Sequence, residues 1–228
     1  MKKVKCYVVC LCVLFAVNVS AEERSDPLEG LNRAVYGFNK AFDTVLFNPL
    51  AKGYKAITPD IVETGVSNFF GNFRDIGTMV NNVLQFKLHD ASVDFSRVIF
   101  NSTVGLAGVL DVATHMGLQK NHEDFGQTLG AWGVPSGPYV VLPFFGPSTL
   151  RDAPASFVPL DAWAYVDDAG TRDRGLILRA VNSRAQLFKY ETLIVGDEYI
   201  FIRDAYLGLR QLAVDDGVVE EVFDEDDF

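Results

Sequence analysis

DPLEGLNRAVYGFNKAFDTV, residues 26–45, is the stretch whose reading decides the fold. Asp26 before Pro27, with Glu29 three residues after it, predicts a helix start. Asp serves as N-cap, Pro takes the first helical position where a missing N–H costs nothing, and Glu completes a capping box. Behind this start Leu28, Leu31, Val35, Phe38, Phe42 and Val45 recur at alternating spacings of three and four. That is one apolar stripe, opposed by Glu29, Asn32, Arg33, Asn39, Lys40 and Asp43.

The same punctuation recurs downstream. Thr58-Pro59-Asp60 opens a second helix through Ile61, Val62, Val66, Phe69, Phe70 and Phe73, with Gly71 expected to interrupt it. Residues 75–88 continue in helical period through Ile76, Met79, Val80, Val83 and Leu84, and further helices are predicted over 90–101, 172–194 and 198–213. Gly105-Leu106-Ala107-Gly108 lacks the third glycine and the preceding strand of a dinucleotide fingerprint, so its small residues are read as helix packing. Between Gly133 and Pro154 the periodicity fails. Gly133, Pro135, Gly137, Pro138, Pro143, Gly146, Pro147 and Pro154 break up Tyr139–Leu142 and Phe144-Phe145, predicting an extended apolar loop followed by the polar cluster 148–152. Period-two alternation is almost absent, and the predicted class is all-α with one Gly/Pro-rich apolar loop.

The first 21 residues read as an export signal. Lys2, Lys3 and Lys5 are followed by a short apolar core, Tyr7 to Val17, and by Val19-Ser20-Ala21 with small residues where a signal peptidase inspects the chain. The core is too short for a transmembrane helix. Cys6, Cys10 and Cys12 all lie within the export signal, and neither Tyr7-Val8-Val9 before Cys10 nor Val9-Cys10-Leu11 before Cys12 makes a lipobox. Cleavage is expected after Ala21, leaving Glu22 as an unacylated N-terminus and a mature chain with no disulfide, thiolate metal site or cysteine nucleophile. The expected organisation is a signal peptide over 1–21, a helical domain over 22–214 and a disordered acidic tail over 215–228.

Of the formal charge of −10, eight units fall in that tail, where Asp215, Asp216, Glu220, Glu221, Asp224, Glu225, Asp226 and Asp227 stand without Lys or Arg. No basic stripe exists for nucleic acid. Enzymatic patterns are thin. Gly146-Pro147-Ser148-Thr149-Leu150 ends in Leu where a nucleophile elbow needs Gly. His89, His115 and His122 lack the spacing of a zinc helix, and no cofactor is expected. Amphipathic helices on an exported chain without a spanning segment fit a protein lying in a membrane interface, although core packing gives the same stripes.

A series of short runs, in order, resembles the MlaA (VacJ) family of outer-membrane lipid-asymmetry proteins from near Asp26 to near Leu212. They are Asp26–Arg33, Ser67-Asn68-Phe69 with Asn72, Phe95-Ser96-Arg97 with Asn101, Gly105–Gly108, Asp111-Val112-Ala113, Asp124–Gly130, Gly137–Pro143, Gly146-Pro147-Ser148, Arg151-Asp152, Arg184, Tyr199 and Arg203–Tyr206. The resemblance implies a ring of helices lying in the inner leaflet of the outer membrane, on the periplasmic side, around an amphipathic channel. It implies association with a trimeric porin, and removal of stray phospholipids from the outer leaflet to a soluble periplasmic carrier, without enzymatic chemistry. The alternatives are a phospholipid hydrolase centred on Ser148 with Asp152 and one of His89, His115 and His122, and a structural porin-bound protein. In the transport reading Tyr139, Val140, Leu142, Phe144 and Phe145 form a mobile apolar gate, or alternatively a static loop packed on the ring, and Arg97, Arg151, Arg184 and Arg203 steer phosphate. Each arginine alternatively forms an ion pair between helices, with Asp94, Asp152 or Asp204 among the partners.

Overall fold

The structure, a computed structural model, describes residues 26–217. The expected signal peptide over 1–21 lies outside the described residues, as do residues 22–25 and residues 218–228 of the acidic tail. Helix α1, Glu29–Phe42, passes through a π-helical turn, Asp43–Phe47, into α2, Asn48–Ile57. It starts later than the capping pattern predicts, with Leu28 at the N-cap. Asp26 closes a turn instead: its Oδ1 accepts from the Leu28 N–H at 3.1 Å and from Asn32 Nδ2 at 3.0 Å. Glu29 accepts from Arg33 Nε at 2.6 Å, a charged donor one turn ahead that outcompetes the backbone N–H behind it.

Helix α3, Asp60–Leu84, runs for 25 residues without a break at Gly71. Glycine there serves contact rather than interruption, because a Cβ would lie 3.0 Å from Lys120 Nζ. A turn with Phe86 at φ +63° returns the chain as α4, Leu88–Thr103, which packs along α3. Two short helices follow, α5 (Val112–His115) and α6 (Phe125–Ala131). Asp111 and Asp124 cap them by accepting from the Thr114 and Gln127 backbone N–H groups.

The predicted loop is a β-hairpin, and this corrects the all-helical expectation locally. Strand β1, Tyr139–Leu142, pairs antiparallel with β2, Gly146–Thr149. Gly137 and Gly146 take positive φ at its ends, where glycine is needed. Pro147 stands opposite Val141, whose N–H points away from β2, so the missing N–H falls where no ladder bond is required.

The outer edge of β1 is covered by side chains of α1. Asn32 donates to the Tyr139 carbonyl (3.0 Å) and accepts from the Val141 N–H (2.9 Å). Asn39 donates to the Leu142 carbonyl (2.9 Å) and accepts from the Phe144 N–H (2.8 Å). Two asparagine amides thus stand in for a third strand on an edge that would otherwise be unpaired. Phe144 at the tip packs edge-on against Phe38 and Phe42 of α1, at 5.2 and 5.0 Å.

The chain continues through α7 (Asp152–Ala155) and a 3₁₀ turn at Ala162–Tyr165 to α8 (Ala169–Leu187). A second 3₁₀ segment, Phe188–Leu193, and α9 (Glu198–Val214) complete the fold. The 172–194 helix of the sequence reading therefore begins earlier, behind the Asp168 cap, and tightens to 3₁₀ after Leu187.

Burial runs opposite to that of a water-soluble domain. The fully buried large side chains are Arg97, Asn32, Asn81, Asn82, Thr128, Thr149, Asp75 and Asp94. Large apolar side chains stand outside: Ile57 is 84 % exposed and Phe86 86 %. Apolar clusters exist but are small, Ala51 with Val181 and Ala185, and Tyr139 with Val141 and Tyr199. Among the described residues no helix is long and apolar enough to cross a membrane.

Candidate functional site

The polar interior is built mainly between α3 and α4 and the segments capping them. Arg97 on α4 is 1 % exposed. It donates through Nη2 to both oxygens of Asp111 at 3.0 Å, and through Nη1 to Thr114 Oγ1 (2.9 Å) and the Leu118 carbonyl (2.6 Å). Its Nε faces Asp75 Oδ2 at 3.5 Å, too far for a hydrogen bond, while Lys120 Nζ reaches the other Asp75 oxygen at 2.8 Å. Burial pushes the Asp111 carboxyl up, yet hydrogen bonds from Thr114, Arg97 and Asn101 outweigh it and hold the group at about 2. Asp94 shows the opposite balance. Burial raises it to about 6, against the lowering effect of hydrogen bonds from Asn82 and Asn121.

A second network ties α9 to the hairpin end. Asp152 accepts from Arg151 Nε and Arg210 Nε, both at 2.7 Å, and Arg210 continues to Asp124 Oδ1 at 2.7 Å. Arg184 grips Asp43 with two bonds (2.7 and 2.9 Å) and donates to Glu191, and Arg203 donates to Asp204 at 2.9 Å. Each of the four arginines singled out from sequence therefore holds a carboxylate, and their partners differ. Arg97 and Arg151 are buried inside the fold; Arg184 and Arg203 are half-buried.

The hairpin residues do come together. Tyr139 is buried against Tyr199 and Tyr206, Val140 and Leu142 are half-buried, and Phe144 and Phe145 are exposed at the tip. The Tyr139 hydroxyl is buried with no hydrogen-bond partner among the described residues, and burial pushes its pKa up to about 12. Ser148 is buried in β2 and its hydroxyl reaches the Thr149 carbonyl at 3.4 Å, with no histidine contact among the described residues. Sequence reasoning missed Asp75, Asn81, Asn82, Thr128 and Arg210, and offered Asp94 as an arginine partner where it bonds Asn82 and Asn121. The signal available was Asn81-Asn82 within an otherwise apolar helical run.

Beside this polar interior lies an apolar cavity of about 680 Å³ between the first half of α3, the 109–110 segment and α8. Phe69, Phe70, Val109, Leu110, Trp163 and Leu178 contribute to its wall. Trp163 is held by Phe69, Phe70 and Phe73 at ring separations of 5.0–5.8 Å, and its indole N–H donates to the Arg172 carbonyl at 3.0 Å.

The fold is a helical one with an exposed apolar exterior around a hydrogen-bonded polar interior. The comparisons make the class specific. The profile described as MlaA lipoprotein matches residues 24–213, and the chain belongs to that family. It is 38 % identical over 194 residues to the intermembrane phospholipid transport system lipoprotein MlaA of Escherichia coli K12, covering 80 % of this chain and 76 % of the relative. It is 30 % identical over 210 residues to the protein of that name from Haemophilus influenzae, covering 87 % and 83 %. A chain solved in work on the structural basis for maintenance of bacterial outer membrane lipid asymmetry superposes with a TM-score of 0.73 at 31 % identity, covering 83 % of this chain and 99 % of that one.

Proposed function

We propose that this protein is the outer-membrane component of a phospholipid transport system that maintains lipid asymmetry, taking phospholipids out of the outer leaflet without bond chemistry. The observation that carries this reading is the inverted burial in a chain matching the MlaA family over nearly its whole described length: apolar side chains face outward, and Arg97, Asp75, Asn81 and Asn82 face inward. Moving a charged headgroup through hydrocarbon is costly, and a polar interior replaces its lost hydration. In cells lacking the protein, outer-leaflet phospholipid and detergent sensitivity are expected to rise. Unchanged asymmetry would reject the reading.

The finer parts of the proposal are these. The helices lie as a ring in the inner leaflet on the periplasmic side, held by their apolar faces with Glu22 unacylated. A trimeric porin is the neighbour, and a soluble periplasmic carrier receives the lipid. The hairpin is the gate, with Val140, Leu142, Phe144 and Phe145 as its apolar surface, and its opening releases the Asn39 bonds and the Phe144 packing that hold its tip to α1. Support comes from the exposed Phe144 and Phe145 and from the unpartnered hydroxyl of Tyr139 behind them. Of the four arginines, Arg184 and Arg203 are the ones exposed enough to exchange a carboxylate for phosphate, while Arg97 and Arg151 shape the polar lining. A cysteine pair joining the hairpin tip to α1 is expected to block lipid clearance when oxidised and restore it when reduced. Full clearance by the oxidised protein would rule out the gate.

A further inference from the structure

A second recess adjoins the apolar cavity. It has a volume of about 270 Å³, lies between α3 and α8, and shares Phe70 with the larger one as a common wall. Its lining is mixed, with polar and cationic side chains beside Phe70, Leu187 and Tyr190. Ser67 and Arg74 come from α3, Arg179, Asn182 and Gln186 from α8, and Lys189 from the 3₁₀ segment. The spacings 67, 70, 74 and 179, 182, 186 put each set on one helix face, so the two faces meet across the recess. Its floor is fixed: Asn182 is buried, donates to Ser67 Oγ at 2.7 Å and accepts from the Tyr54 hydroxyl at 2.9 Å, and Gln186 donates to the same Ser67 oxygen.

The charge in the recess is one-sided. Three cations and no carboxylate line it, in a protein whose net charge is −10. Arg179 is paired with Asp161. Arg74 and Lys189 make no ion pair among the described residues, although Lys189 lies over the Tyr190 ring. Arg74 is open to solvent, yet burial among protein atoms and the charge of Arg179 lower its pKa. Asp161 and Asp75 are near enough to oppose that lowering, but neither lines the recess, and each is bonded to another cation, Arg179 and Lys120.

We propose that the two cavities form one phospholipid site, with acyl chains in the apolar cavity and the phosphate held by Arg74, Arg179 and Lys189, and that it prefers an anionic headgroup to a zwitterionic one. The inference rests on the transport reading and adds the lipid class. A phosphodiester accepts hydrogen bonds from guanidinium, ammonium and hydroxyl donors, all present here. Phosphatidylglycerol adds only hydroxyls beyond its phosphate. Phosphatidylethanolamine brings an ammonium into a recess already positive and offers it no lining carboxylate, so like charges oppose it.

The test uses the detergent-solubilised full chain and short-chain phosphatidylglycerol, phosphatidylethanolamine and glycerol 3-phosphate, with tryptophan emission as readout, since Trp163 walls the apolar cavity. Phosphatidylglycerol is expected to bind about tenfold more tightly than phosphatidylethanolamine, and Arg74→Gln or Lys189→Gln to weaken phosphatidylglycerol by about that factor and narrow its advantage, because phosphatidylethanolamine loses the same phosphate contact but is relieved of like charge at its ammonium. Lys189 is exposed, so its substitution tests the site without a burden on folding. Equal affinities for the two lipids, or a loss on Arg174→Gln at the apolar cavity in place of Arg74→Gln, would overturn the assignment. Glycerol 3-phosphate bound as tightly as the lipid would assign the recess to a soluble phosphate ester and also overturn it. If binding shows no headgroup preference while cells lacking the protein still lose asymmetry, this inference falls and the transport reading stands.

Discussion

Arg97 illustrates how a single side chain decides what the interior can be. A guanidinium that is 1 % exposed is held here by the bonds of its two terminal nitrogens and by the charges of Asp111 and Asp75, and removing one partner from such a pair costs far more than the pair contributes. Asp111→Asn is therefore expected to lower folding stability by about 3 kcal/mol near neutral pH. The pH dependence has a definite sign. The native Asp111 carboxyl stays ionised down to about 2, while its ordinary value is 3.8. Between those values the unfolded chain binds more protons, so the stabilisation is full above 3.8 and lost as pH falls through 2. Denaturant midpoints of the two proteins should differ at pH 7 and converge towards pH 2, and a constant gap would reject this account. The sequence reading allowed Arg97 an ion pair, but its partners could not be read from spacing. Asp94, three residues earlier on the same helix, turns to Asn82 and Asn121, while Asp111 arrives from the turn that follows α4. Arg151–Asp152 and Arg203–Asp204 were legible because the partners are adjacent in sequence.

At the scale of elements, the helices were legible and the hairpin was not. Apolar periodicity located α1, α3, α4 and α9, because a helix bonds within itself and its pattern is local. The hairpin is stabilised by amides more than a hundred residues away, and its short strands are crowded by Gly and Pro that locally argue against order. Those amides should not be equivalent. Asn32 is fully buried, so Asn32→Ala leaves the Tyr139 carbonyl and Val141 N–H without water and is expected to cost about 2–3 kcal/mol. Asn39→Ala exposes the Leu142 carbonyl and Phe144 N–H near solvent, where water replaces the lost bonds, and should cost about 1 kcal/mol. Chemical unfolding of both variants measures the difference; equal costs would contradict the edge-covering role.

For the whole molecule, the decisive property is the inverted burial. The apolar stripes were plain in the sequence, but a stripe does not say whether it faces a core or a lipid. The structure fills much of the interior with Asn, Asp, Thr and Arg and leaves Ile57, Ile61 and Phe86 exposed, which supports the proposed lipid contact. An exposed isoleucine that enters an acyl layer contributes about 1.5–3 kcal/mol. Ile57→Asp combined with Ile61→Asp is therefore expected to reduce binding to phospholipid vesicles by at least about tenfold, with no fall in the unfolding midpoint. Vesicle flotation measures the first and chemical unfolding the second. Undiminished flotation would place the lipid contact elsewhere on the surface.

The amides of α1 also work as a measuring device. From Asn32 to Asn39 the helix advances seven residues, about 10.5 Å at its usual rise, and from Tyr139 to Leu142 the strand advances three, about 10 Å. Helix and strand are commensurate over this distance, so both amides engage together in one alignment. Sliding β1 by a single residue would break all four bonds and turn its inward side chains outward. Adding one residue between the two asparagines would swing the second about 100° around the helix axis and leave it reaching for nothing. Length variation inside α1 is thus closed to this fold, whereas substitution of its outward-facing apolar residues remains open.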